Sequence, residues 1–287
     1  MLKKIDQAAL FLEKNQQVFR CPFCHEAMKA KDKTLFCSNR HRFDLSKKGT
    51  LYFLKQHVKT EYDQKMFQHR RALILNGMYD PLIALLAEKC QGERVLDVGC
   101  GEGSFLHLLE QQATLLPSVG FDLSKEGVYL ASDYNQKHFF CVADLTNLPF
   151  NKGTFSTILN IFSPSNYQEF ARVSQSNGQV IKVVPRSGYL KELRQAFFPE
   201  DLAKQHYSNE AVIAKFQETF PKMERKIVTY TFEIPENCQH SLLEMSPLEW
   251  SVTKERKEFL QKNLLSRITI DLEVLIGRFS ADNMKNM

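Results

Sequence analysis

The chain has 287 residues, of which 43% are hydrophobic and 25% charged, enough for one catalytic domain with a small appendage. No apolar run approaches the roughly 20 residues that span a bilayer, and the apolar segment within Leu2–Leu12 ends at Glu13, so neither a membrane span nor a signal peptide is expected. Seven cysteines, an odd number, point to a reducing and hence cytoplasmic setting. The formal charge of +5 is unevenly placed. Residues 1–60 carry 13 Lys+Arg against 5 Asp+Glu, and the rest carry 25 against 28. The N-terminal fifth is therefore at +8, which favours polyanionic partners.

In chain order, the first element is a short amphipathic helix with Leu2, Ile5, Ala9 and Leu12 on one face. Cys21-Pro22-Phe23-Cys24 follows, then Cys37 after 12 residues and His41 three residues beyond. Two cysteines spaced C-x2-C on a tight turn present both sulfurs to one metal, and the second pair returns from the far end of a hairpin to complete a tetrahedron. Thr34-Leu35-Phe36 alternates like the strand leading into Cys37, while Phe19, Phe23, Phe36 and Phe43 are the expected miniature core. So small a module needs its metal to fold. The site would be a closed structural zinc centre with Cys21, Cys24, Cys37 and His41 as ligands. His25, beside Cys24, is the competing ligand and would crowd the turn. Cys90, Cys100, Cys141 and Cys238 are scattered and read as buried apolar residues.

Arg94-Val95-Leu96-Asp97-Val98-Gly99-Cys100-Gly101-Glu102-Gly103 reads as a buried strand running into a glycine turn, and Ser104–Leu109 opens a helix. Such a turn lets backbone approach a ligand at the carboxyl end of a parallel sheet. By itself it would also suit a dinucleotide. Asp97 sits inside the strand, where a carboxylate can orient an amino-acid ammonium or the loop itself. Asp122 ends a second strand (Ser118–Phe121), 19 residues past Gly103, a spacing suited to ribose hydroxyls. Asp144 follows a third strand (Phe139–Val142) and is placed to meet an adenine amino group. Any one of these acids is equally a cap or loop residue; their recurrence at successive strand ends is what argues for a site.

The run Asp97–Gly103 with Asp122 and Asp144 resembles the class I S-adenosylmethionine-dependent methyltransferases. The rest fits that plan. Phe155–Ile161 is the expected fourth strand, Tyr167–Val173 a helix, and Gly178 opens a fifth strand, Gln179–Val184. Ile227–Ile234 and Ile268–Ile276 suit a final antiparallel pair, and Tyr189–Phe220 reads as a helical, substrate-facing insertion. The fold class expected is α/β, a Rossmann-like class I methyltransferase fold with a small N-terminal zinc-binding module.

The zinc module, Arg42–Gly49, Arg70-Arg71-Ala72, Gly77-Met78-Tyr79 and the loop with Glu102 together resemble the bacterial 23S rRNA (guanine-N1)-methyltransferases of the Gram-positive branch, from about Phe19 to the C-terminus. The helix before Phe19 is outside the family core. The resemblance implies S-adenosylmethionine and structural zinc as cofactors, and 23S rRNA or a large-subunit precursor as substrate. It also implies a homodimer, and methylation near the macrolide site of the exit tunnel. It makes Tyr79, Gly101 and Glu102 cofactor contacts beside Asp97, Gly99, Asp122 and Asp144. Tyr189 stands where some members have a cofactor-contacting histidine. The expected organisation is a helix at 1–18, a zinc-binding RNA-recognition module at 19–56, a helical linker at 57–90 and the methyltransferase domain at 91–287.

Guanine N1 lies on the pairing edge and carries a proton, so the base must be unpaired or flipped and the proton must leave. The expected base-positioning element is Asn160-Ile161-Phe162-Ser163-Pro164, with Phe162 stacking on the base and Asn160 or a carbonyl reaching its edge. Simple core packing is the competing role for Phe162, and no catalytic base is evident. Two other functions compete: a quinone- or sterol-type small-molecule methyltransferase with a zinc appendage, and a non-catalytic zinc-dependent RNA-binding protein.

Overall fold

The β-branched and aromatic runs assemble into one eight-stranded sheet, with a three-stranded zinc-module sheet at its side. The computed structural model describes residues 2–56, 58–90, 92–134 and 137–280. Helix α1 (Lys4–Asn15) is followed by β1 (Met28–Lys31), β2 (Thr34–Cys37) and β3 (Arg42–Asp44), which pair antiparallel in that order. Strand β4 (Leu51–Tyr52) leaves this small sheet and pairs parallel with β7 of the large one. Helices α2 (Gln64–Leu73) and α3 (Asp80–Lys89) come next. Asp63 caps α2 by accepting from the Met66 amide at 2.8 Å. Between the two helices Ile74–Met78 widens into a π turn, broken by the left-handed Gly77.

The catalytic half alternates β5 (Val95–Val98), α4 (Ser104–Gln112), β6 (Val119–Asp122), α5 (Lys125–Ala131), β7 (Phe139–Val142), β8 (Phe155–Ile161), α6 (Tyr167–Val173) and β9 (Ser174–Pro185). Then come α7 (Lys191–Phe197), α8 (Leu202–Gln205), α9 (Glu210–Thr219), β10 (Glu224–Glu233), α10 (Gln239–Glu244), α11 (Lys254–Lys262) and β11 (Arg267–Arg278). The strand order is β10-β11-β9-β8-β5-β6-β7-β4, with β10, β11 and β9 paired antiparallel and the rest parallel. After β5 the chain winds to one side through β6 and β7, and then returns to β8 on the other. The crevice above the carboxyl ends of β5 and β8 is thus the topological switch point, where such sheets bind ligands. No helix among the described residues is long and apolar enough to cross a membrane.

β7, β8 and α6 lie where the hydrophobic runs place them. The fifth strand begins at Ser174 rather than Gln179. Ser174 pairs with Phe155 and Gln179 with Thr157, so a bulge absorbs the exposed polar residues between them.

Two expectations about the N-terminus are corrected by packing. Helix α1 buries Ala8, Phe11, Leu12 and Asn15, with Ile5 and Ala9 partly buried against the same core. Leu2 precedes the helix and is 58% exposed, so the buried face is shifted toward Ala8 and Phe11 from the one the periodicity marks. The reason is Phe11, whose ring stacks on Phe139 at 5.3 Å. Phe19 does not belong to a miniature zinc core. It is fully buried against Phe53, Phe139 and Phe150, with ring centroids at 6.1, 5.6 and 5.9 Å. Leu35, Phe43 and Leu51 thereby join Leu96, Phe121 and Val180 in one apolar layer on that face of the large sheet. The opposite layer holds Leu82, Leu106, Val128, Ile181 and Leu193. The zinc module is therefore welded to the catalytic sheet through a shared core and a shared strand edge.

Because Phe19 bridges the two parts, Phe19→Ala should lower unfolding free energy by about 3–5 kcal/mol, the range for deleting a buried aromatic ring. Urea denaturation of full-length protein measures it. A loss under about 1 kcal/mol would show that the module docks without this ring.

Candidate active site and metal centre

The glycine turn needs its glycines at named contacts. Gly99, Gly101 and Gly103 have φ of +68°, +53° and +81°, in the left-handed region that disfavours side chains. A Cβ on Gly99 would lie 2.6 Å from the Ser163 Cβ, and one on Gly103 would lie 2.8 Å from the Ala131 Cβ. The loop after β5 thus presses against the loop after β8, where Ser163 Oγ donates to the Val98 carbonyl at 2.6 Å.

These loops floor a cavity of about 770 Å³ above the switch point. It is lined on one side by Asp97, Asp122 and Asp144, from the carboxyl ends of β5, β6 and β7. Asp97 is buried and its Oδ2 has no hydrogen-bond partner. Such an orphaned acceptor fits a cationic ligand group, and the methionine ammonium of S-adenosylmethionine supplies one. Asp122 accepts from the Gly101 amide through Oδ2 and from the Ser124 amide through Oδ1, both at 2.8 Å. It shapes the glycine turn, and its carboxylate retains lone pairs for ribose hydroxyls. Asp144 is exposed at the rim and accepts from the amide and hydroxyl of Thr146 through Oδ1.

Glu102 is placed differently from a simple cofactor contact. Its carboxylate is buried, accepting from Ser104 Oγ at 2.6 Å and from Arg71 Nε at 3.2 Å, while Arg71 Nη2 donates to its carbonyl at 2.9 Å. The residue still lines the cavity, but its charge is spent fixing the loop to α2.

The aromatic residues converge. Tyr79 and Tyr189 are joined through their hydroxyls at 2.6 Å, and the Phe162 ring lies 5.7 Å from Tyr79 and 5.6 Å from Tyr189. Phe162 is 39% exposed and has φ +55°, a left-handed conformation that is costly for a bulky side chain. Core packing would place this ring inside; instead it faces the cavity. Asn160 does not reach the cavity, contrary to its expected contact with a base. Its amide donates to Ser163 O, Ser163 Oγ and Pro164 O, and its oxygen accepts from Ser165 Oγ and Lys182 Nζ. It holds the loop that carries Phe162.

Lys182 is the partner that sequence reasoning missed, although a lysine inside Val180-Ile181-Lys182-Val183-Val184 was a visible signal. Its ammonium donates to Asn160 Oδ1 at 2.6 Å, Ser165 Oγ at 2.9 Å and Ser163 O at 3.1 Å. Burial pulls its pKa down to about 8. Arg70 was also overlooked as a cavity residue. Its guanidinium lies over the Phe67 ring and donates through Nε to the Met245 carbonyl.

At the metal centre, donor atoms of Cys21, Cys24, Cys37 and His41 all lie within 4.8 Å of one another. His41 Nδ1 is 3.4 Å from both Cys21 Sγ and Cys37 Sγ, and Cys24 Sγ is 3.6 Å from Cys37 Sγ. Zinc bonds of about 2.3 Å to sulfur and about 2.0–2.1 Å to nitrogen, at tetrahedral angles, give edges of roughly 3.8 and 3.5 Å. The donor set therefore fits zinc, and four protein ligands leave no open position. His25 is exposed with φ +63° and lies outside this group among the described residues.

Two outcomes follow. Burial, with Asp122 and Glu102 nearby, pushes the Asp97 carboxyl up to about 7. A folded pKa above the unfolded one means that ionisation opposes folding. Cofactor-free protein should lose stability as pH rises from about 4 to about 7, and Asp97→Asn should remove that loss. A pairing of the methionine ammonium with Asp97 would require the ionised carboxylate, so calorimetry should then show weaker cofactor binding at about pH 6 than at about pH 8. PH-independent binding would contradict this role for Asp97. For the metal, Cys37→Ser should lower zinc content by elemental analysis and also lower the melting temperature of the whole chain, because the module shares its core with the sheet. A melting temperature equal to that of the parent protein would show the centre to be dispensable.

Comparison with known proteins covers both parts. A family model described as "Methyltransferase domain" matches residues 89–234, and a zinc-ribbon model described as "RlmA, N-terminal" matches residues 19–60. A Bacillus subtilis (strain 168) protein, YxjB, provisionally named a 23S rRNA (guanine-N(1)-)-methyltransferase, is 39% identical over 91% of this chain and 96% of its own. The 23S rRNA (guanine(748)-N(1))-methyltransferase of Streptomyces fradiae is 31% identical over 62% of this chain and 66% of its own. The demethylmenaquinone methyltransferase of Thermotoga maritima is 32% identical over only 31% of this chain and 39% of its own. The likeness to the rRNA-named protein from Bacillus subtilis thus spans nearly the full length, and that to the quinone enzyme less than a third. With a Rossmann-like sheet, a site that fits S-adenosylmethionine and a four-ligand zinc ribbon, the chain belongs to the 23S rRNA (guanine-N1)-methyltransferase family.

Proposed function

We propose that the protein transfers the methyl group of S-adenosylmethionine to N1 of a guanine in a hairpin of 23S rRNA. In this reading residues 19–56 recognise the RNA, 57–90 link, and 91–287 carry the chemistry. The observation that carries it is the full-length relation to a protein named for that reaction, zinc ribbon included. The surplus of +8 within residues 1–60 suits a phosphate backbone.

The donor is already activated, so this chain's task is alignment. Asp97, Asp122 and Asp144 would hold the cofactor on the β5–β7 side. Phe162 presents a ring face at the same cavity and would stack on a base turned out of its helix. Lys182 and Asn160 would set the position of that ring by bracing its loop. The N1 proton would leave to solvent or to a group that the RNA brings.

Primer extension on 23S rRNA treated with protein and cofactor tests the reading, because methylation at N1 blocks pairing. The expected result is one stop at a guanine that requires both components. Phe162→Ala should reduce kcat/KM by about 5- to 150-fold, the equivalent of about 1–3 kcal/mol of base stacking. Methylation of a quinol without RNA, or modification that leaves pairing intact, would overturn the assignment.

A further inference from the structure

Charged groups fall on two sides of the cavity, with Arg70 of α2 lying close to the acids. Its acids come from the ends of β5, β6 and β7. On the other side of the switch point, Arg194 of α7, Lys204 of α8 and His206 line it. A cofactor bearing an ammonium and a sulfonium belongs on the acidic side, where Arg70, close to Asp122 and Glu102, suits its carboxylate, and this leaves the Arg194 side for another anion.

Arg194 is the centre of that side. Only 4% of it is exposed, and it makes no ion pair with an acid among the described residues. Nε donates to the Gln205 carbonyl at 2.9 Å and Nη2 donates to the Ser187 carbonyl, so the guanidinium plane is fixed by backbone on two sides. Nη1 makes no hydrogen bond among the described residues. The neighbouring acid, Glu192, is committed elsewhere: its two oxygens accept from the amide and hydroxyl of Thr269. A buried guanidinium whose nearby carboxylate, Glu192, is bonded elsewhere is costly, and an entering anion reduces the cost. Arginine held in a fixed plane is also the side chain best matched to phosphate oxygens. Lys204 and Tyr207 extend the same wall, and Tyr189, five residues before Arg194, stacks with Phe162. The wall therefore stands beside the ring proposed to receive the base.

We propose that Arg194, flanked by Lys204 and His206, is the seat for the phosphate of the nucleotide whose base is methylated. This rests on the reading of the substrate as a nucleic acid, and assigns where its backbone docks. The phosphate fixes the sugar at the wall, so that the base reaches across Phe162 toward the cofactor. Arg194 thus acts on the substrate and not on the cofactor.

The test uses the full-length protein saturated with S-adenosylhomocysteine and compares guanosine with 5′-GMP as calorimetric probes. The parent protein should bind GMP about tenfold more tightly than guanosine, the weight of one charge-assisted contact. Arg194→Met should abolish that preference, Arg194→Lys should keep part of it, and affinity for S-adenosylmethionine should stay within about twofold in both. Lys204 is exposed and reaches only Asp201 and the Phe198 ring among the described residues, so Lys204→Met should reduce the preference without disturbing the fold and guards against misfolding of the Arg194 variants. Equal binding of GMP and guanosine by the parent protein overturns the proposal. So does a preference unchanged in Arg194→Met, or a loss of cofactor affinity in Arg194→Met equal to its loss of GMP affinity. A GMP preference that follows Arg194 in a protein that leaves 23S rRNA unmodified would uphold the phosphate seat and sink the rRNA assignment.

Discussion

The active site depends on one close approach. The loop after β5 and the loop after β8 meet at Gly99 and Ser163, where no Cβ fits and where Ser163 Oγ bonds the Val98 carbonyl. The strand order makes the meeting obligatory, since β5 and β8 are neighbours while their connections run to opposite sides. The cofactor-binding turn and the loop carrying Phe162 are consequently positioned by one contact. Neither can move without the other.

Bracing radiates from that contact. On the substrate side, Asn160 and Lys182 saturate the polar groups of the 160–165 loop, and this holds Phe162 in a backbone conformation it would not choose alone. On the cofactor side, Asp122 receives the Gly101 amide, and Glu102 ties the loop to Arg71 of α2. Arg71 also lies 3.8 Å from Asp133, which in turn pairs with Lys4 of α1 and Lys48 of the zinc module. The N-terminal segment is therefore connected to the cofactor loop by charge as well as by the Phe19 core. Exposed members of such a chain contribute little individually to stability; their significance is geometric.

Asp97 and Arg194 share a physical state from opposite ends of the cavity. Asp97 Oδ2 is buried without a hydrogen-bond partner, and Arg194 is buried with its guanidinium bonded to backbone carbonyls. Both line the same cavity, an acid on one wall and a cation on another.

Features set by local spacing were legible in the amino-acid order alone. The Cys-x2-Cys turn with Cys37 and His41, the glycine turn with Asp97, and the strands Phe139–Val142 and Phe155–Ile161 were all legible, because metal geometry, left-handed glycine and buried β-runs are set within a few residues. Long-range packing set which residues of α1 lie deepest, since Phe139 on a distant strand stacks on Phe11. It alone placed Phe19 in the catalytic core and β4 on the catalytic sheet edge. It also assigned Asn160 to the loop and not to a base, because the five partners of its amide come from the 163–165 turn and from Lys182. Hydrogen-bond capacity is finite, and which partners exhaust it is known only once the chain has brought them together.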